Sequence, residues 1–78
     1  MMDYKVVLKE LRTENKKTQT EVATYLHIDQ RVYSRYECGV NAMPIKYLER
    51  LCRYYKVSAD YILGLKSTKQ IDHYIEAE

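Results

Sequence analysis

The sequence predicts an all-α fold, a compact domain of five helices, with a short sixth helix at the C-terminus as an open alternative to a frayed tail. Three observations carry that expectation. Apolar residues recur at helical spacing in successive segments of the chain. Only one proline and two glycines interrupt 78 residues, and Pro44, Gly39 and Gly64 all fall at the edges of those segments. Side chains suited to helix N-caps, namely Asp3, Thr18, Asp29 and Ser58, stand just ahead of four of them. A hydrophobic content of 46% is ordinary for a globular chain and argues against disorder.

Residues 3–14 make the first helix, with Tyr4, Val7, Leu8 and Leu11 at i, i+3, i+4 and i+7 and Asp3 as its cap. Asn15-Lys16-Lys17 is a short polar connection. Thr18-Gln-Thr-Glu21 has the form of a capping box, and Val22, Ala23 and Leu26 give the second helix an apolar face about two turns long. That helix stops near His27. Asp29 is placed to cap a third helix from Gln30, and Ile28 can pack on Tyr33 as a hydrophobic staple.

Stepping at 100° per residue, the third helix divides cleanly. Gln30, Arg31, Ser34, Arg35 and Cys38 fall within an arc of about 140°, and Val32, Tyr33 and Tyr36 fall opposite. Gly39 suits a left-handed C-cap, and residues 40–43 form a loop. Pro44 opens a fourth helix, where its missing N–H costs nothing. Ile45, Leu48, Leu51, Cys52 and Tyr55 are expected as its core stripe, with Lys46, Glu49, Arg50 and Arg53 on the other side. Ser58 caps a short fifth helix, in which Ile62 and Leu63 are expected to point inward and which Gly64 closes.

The outer arc of the third helix offers amide, guanidinium and hydroxyl groups and no carboxylate between Gln30 and Cys38. These groups match base edges in a major groove: Arg to guanine, Gln to adenine, Ser to either. The net charge is only +2, but its distribution is uneven. Residues 1–57 hold 11 Lys/Arg against 7 Asp/Glu, and residues 58–78 hold 2 against 4. A basic body with an acidic end fits one face turned to phosphates.

Cys38 and Cys52 form no CxxC pair and have no third thiol, so a disulfide framework or zinc site is not expected and a reducing compartment is. The charged first 15 residues do not read as a signal peptide, and no apolar run is long enough for a membrane; a soluble, cytoplasmic protein is expected. There is no glycine-rich phosphate loop, no Ser-His-acid arrangement and no HExxH, so an enzyme is not expected, nor any cofactor or metal.

The segment TQTEVATYLHIDQRVYSRYECG, with LKELRTENKK before it and MPIKYLERLCRYYKVSADYILGL after it, resembles the Cro- and phage-repressor-type (Xre-like) helix-turn-helix DNA-binding family over about residues 4–65. The resemblance implies a repressor-like DNA-binding domain over residues 1–65, with the helix-turn-helix at helices two and three and a C-terminal extension over residues 66–78. It implies a sequence-specific regulator of transcription, most commonly a repressor of phage or mobile-element type. One protomer reads too few base pairs to find a site in a genome, so a homodimer on a near-palindromic operator is expected.

Gln30, Arg31, Ser34 and Arg35 are then the candidate base readers. Gln19 resembles the family's phosphate-clamping glutamine, with Thr18, Thr20, Asn41 and Lys46 as weaker phosphate candidates and Tyr33 assigned to the core. By the same resemblance Arg12 pairs with Glu37 as a partly buried ion pair. At His27 the family most often has glycine, a departure that implies some strain in the turn. Leu65, Ile71, Tyr74 and Ile75 are the dimerisation candidates. The alternative function is an antitoxin or other protein-binding module with secondary DNA contact, its protein partner unidentified.

Overall fold

The computed structural model describes residues 3–65. The order is α1 (Tyr4–Glu14), α2 (Gln19–Leu26), α3 (Gln30–Cys38), α4 (Ile45–Tyr55) and α5 (Ala59–Ile62), so the fold is all-helical among the described residues. The sixth-helix expectation lies outside them, as do Ile71, Tyr74 and Ile75.

Each start has its chemical reason. The Asp3 side chain accepts from the Lys5 amide, Asp29 from the Arg31 amide and Ser58 from the Tyr61 amide. At α2 the box is complete: the Glu21 amide donates to Thr18 Oγ1 at 3.0 Å, and the Thr18 amide donates to Glu21 Oε1 at 2.7 Å. At α4 Pro44 occupies the cap position and offers no side-chain bond.

The stops repeat one device. After α1, α2, α3 and α5 a residue with positive φ turns the chain back, so that two successive amides reach carbonyls of the last turn. For α2 these bonds are His27 N–H to Thr24 O at 3.1 Å and Ile28 N–H to Ala23 O at 3.0 Å. Glycine takes the position after α3 and α5, but Lys16 (φ 55°) and His27 (φ 60°) take it after α1 and α2, and Lys56 (φ 57°) takes the like position after α4. A left-handed non-glycine residue is strained by about 1–2 kcal/mol. His27 is exposed. His27→Gly is therefore expected to stabilise the fold by about 0.5–1 kcal/mol, because relief of strain outweighs the added freedom of the unfolded chain. The urea midpoint should rise at constant slope; a fall would contradict the strained turn.

The core is one cluster. Val7, Leu8 and Leu11 of α1 meet Val22, Ala23 and Leu26 of α2, Tyr33 and Tyr36 of α3, Leu51, Cys52 and Tyr55 of α4, then Val57 and Ile62. Ile28 packs at its edge beside the α3 start. Tyrosines also join the elements on the outside: Tyr25 of α2 stacks on Tyr54 of α4 with ring centroids 4.1 Å apart, and its hydroxyl donates to Arg50 O at 3.2 Å.

Two core expectations are corrected. Ile45 is 81% exposed. It is the first residue of α4, and a helical side chain leans towards the N-terminus, so it projects past the end of the core. Leu63 is 40% exposed. It is the C-cap of a helix of one turn, which can bury one of two adjacent residues, and Ile62 has that place.

Candidate nucleic-acid interface

α3 is seated by Tyr33, which is fully buried, and Tyr36 on α1 and α2, with Val32 half-buried beside them. That seating turns the other side outward. Arg31 and Arg35 are exposed, Gln30 and Ser34 half-buried, and Cys38 exposed at the far end. Arg31 Nε lies 3.5 Å from Asp29 Oδ1, with both side chains largely in solvent. Such a contact is worth little and leaves the guanidinium free to move. The Arg31 amide, not its side chain, is what chiefly holds the Asp29 carboxyl below its ordinary pKa.

Behind this face lies a buried carboxylate. Glu37 accepts from Arg12 Nε at 2.8 Å and Arg12 Nη2 at 3.1 Å, a bidentate pair linking α1 to α3. The Tyr33 hydroxyl donates to it at 2.8 Å and Gln19 Nε2 at 3.1 Å. Arg12 Nη1 also donates to Lys17 O at 3.0 Å, tying down the α1–α2 connection. The two side chains are 13% and 3% exposed. Burial alone would push the Glu37 carboxyl up, but the Arg12 hydrogen bonds, then those of Tyr33 and Gln19, hold it below its ordinary value of 4.5. A depressed carboxylate stabilises the fold fully above pH of about 4.5 and less as pH falls through the folded value. Acid unfolding should therefore begin below about pH 4.5; a denaturant midpoint unchanged down to pH 3 would contradict it.

The network continues to the face. Gln30 Nε2 donates to Gln19 Oε1 at 2.7 Å. Gln19, a phosphate candidate, is thus also the link between the buried carboxylate and a base-reading candidate. The i, i+4 spacing of Tyr33 and Glu37 was a signal for their bond; nothing local to the chain signals Gln19 with Gln30.

The remaining candidates lie at the start of α2, on the loop after α3 and in the first turn of α4. Thr18 is exposed, with its hydroxyl oxygen engaged as the α2 cap, and Thr20 is exposed on the first turn of α2. Asn41 is exposed on the loop, which folds back onto α3 through Val40 N–H and Asn41 N–H to Arg35 O at 2.9 and 3.2 Å. Gly39 (φ 83°) begins that loop. A Cβ there would meet the flexible end of Lys5, so the backbone angle is the stronger demand for glycine. Lys46 is exposed, its ammonium 5.1 Å from the Tyr47 ring centroid. Leu65 is 61% exposed at the end of the described chain. No helix among the described residues is long and apolar enough to cross a membrane.

Two helices, α2 and α3, joined by the tight turn through His27 and packed on each other, have the form of a helix-turn-helix. A helix-turn-helix family model matches residues 8–62, and the chain belongs to the Xre/Cro-type helix-turn-helix family. Among curated proteins it is similar to YobD of Bacillus subtilis (strain 168), described as an uncharacterized HTH-type transcriptional regulator. The two are 40% identical over 58 residues, which cover 74% of this chain and 52% of that protein. The chain thus spans about half the length of this relative. No solved structure matches it significantly.

Proposed function

We propose that the protein is a sequence-specific, double-stranded DNA-binding regulator of transcription, acting as a repressor. The observation that supports this most is the outer face of α3, where Arg31 and Arg35 are exposed beside Gln30 and Ser34, Arg31 holding only a solvent-exposed contact with Asp29. Such a face presents donors and acceptors suited to base edges. Gln30 and Arg31 stand at the α3 N-terminus, the part of a recognition helix that meets bases first. Gln19, Thr18, Thr20, Asn41 and Lys46 are assigned as the phosphate contacts. Residues 1–65 are the DNA-binding domain, and residues 66–78, with Leu65, contribute to a homodimer.

In-vitro selection of duplexes from a random pool tests this. The winners should be near-palindromic, with half-sites about 10 bp apart or a multiple, bound by two protomers with a steep loss of affinity in salt. Equal affinity for all duplexes at physiological salt would sink the proposal. A single half-site bound by one protomer would remove the homodimer from it.

A further inference from the structure

We infer that Lys5 is a contact to the DNA backbone: reaching over Gly39 from the first turn of α1, its ammonium binds a phosphate at the wall of the groove that α3 enters. The inference rests on the DNA-binding reading above and adds to it a cation from outside the helix-turn-helix.

Glycine at position 39 is what admits the lysine. A Cβ there would stand 2.6 Å from Lys5 Cδ, 2.8 Å from Nζ and 3.1 Å from Cε, so the stem lies against the backbone at the end of α3. The Lys5 side chain is accordingly 35% exposed, whereas Lys9, Lys16 and Lys56 stand in solvent. One residue earlier, the Tyr4 hydroxyl accepts from the Met43 amide at 3.4 Å. The first turn of α1 thus meets the loop between α3 and α4 at both of its ends. Lys5 is already placed, and less rotamer freedom remains to be lost on binding.

Position along α3 decides what the ammonium meets. A helix of nine residues is about 13 Å long, and a major groove is about 12 Å wide. With its N-terminus turned to the bases, the other end of α3 stands at the rim of the groove, where the phosphates are. Gly39 and the Lys5 ammonium lie at that end, just past Cys38. An ammonium has three donors, and Asp3 Oδ2 takes one of them at 3.1 Å. Two are left for a phosphate. The pair with Asp3 is partly in solvent on both sides and worth little, so it does not hold the ammonium back.

The test measures binding of the selected operator and its single-base variants over a range of salt. K5M keeps the stem and removes the charge. Its slope of log affinity against log salt should be shallower than that of the wild type by about 0.9 per protomer, with all duplexes weakened alike. K5R should restore the slope. K56M removes the same charge at the C-terminal end of α4, away from the loop, and should keep the wild-type slope. An unchanged slope in K5M would confine Lys5 to packing on α3 and overturn the inference. An equal change in K56M would be an effect of net charge, and a loss confined to one base position would make Lys5 a base reader; either overturns it too. If K5M does not fold, D3N keeps the helix cap, which asparagine serves as well as aspartate, and releases the ammonium from its carboxylate. D3N should then bind every duplex more tightly, and unchanged affinity there overturns the inference equally. A wild-type protein with no salt-sensitive binding to any duplex defeats the DNA-binding reading and the inference together; wild-type binding whose slope survives K5M defeats the phosphate contact alone.

Discussion

Replacing Arg12 by alanine is expected to destabilise the fold by about 3–5 kcal/mol at neutral pH, the range for leaving one partner of a buried pair uncompensated. Glu37, 3% exposed with Arg12 in place, would keep only Tyr33 and Gln19 donating to it. The pH dependence should change sign as well. In the wild type the carboxyl is held below 4.5, so acid removes stability. Without Arg12, the burial that opposes its charge dominates and the folded value rises above the unfolded one. Protonation then relieves the fold, and stability should climb as pH drops towards and through that raised value. Denaturant titrations of both proteins at pH 7 and pH 5 measure the two slopes. Parallel slopes, or a loss under about 1 kcal/mol, would show that the pair behaves as a solvated surface contact.

Arg31→Ala should have the largest effect on operator binding. A bidentate arginine–guanine contact discriminates by about 1–3 kcal/mol, and two protomers would lose about 2–6 kcal/mol together on a palindromic site. Arg31 makes one weak contact in the protein, with Asp29 at 3.5 Å, so the substitution should leave thermal stability nearly unchanged. Repeating the duplex selection with R31A should relax one position in each half-site and preserve the rest. Uniform weakening across sequences would reassign Arg31 to the phosphates.

The helices were legible where their causes are local. Thr18 and Glu21 sit three apart because a capping box needs that spacing, and Asp29 precedes α3 because an exposed amide end needs an acceptor. The division of α3 followed from a 100° step, which put Tyr33 and Tyr36 in the core and the arginines outside. Ile45 misled because periodicity reports direction around a helix axis and not position along it; the stripe runs past the end of the core. Val57, 2% exposed between α4 and α5, belongs to no periodic run, so no spacing marks it as core. The facing of Arg12 and Glu37 came from family resemblance, since 25 positions separate them and no spacing rule joins them. The Gln30–Gln19–Glu37 chain has the same character. It exists only once α2 and α3 are packed.

The choice of tyrosine for the core, with nine of them and neither tryptophan nor phenylalanine, makes the molecule its own optical probe of alkaline unfolding. Burial first, then the hydrogen bond to Glu37, raises the Tyr33 phenol well above its ordinary 10.0. Burial does the same for Tyr55, whose hydroxyl has no partner among the described residues. Both rings are therefore kept neutral by folding, and the stability this supplies is complete below pH 10 and erodes as base is added beyond it. In an ultraviolet titration the surface rings should form phenolate first and reversibly. The enclosed ones should ionise in a later, cooperative step that coincides with loss of helical dichroism.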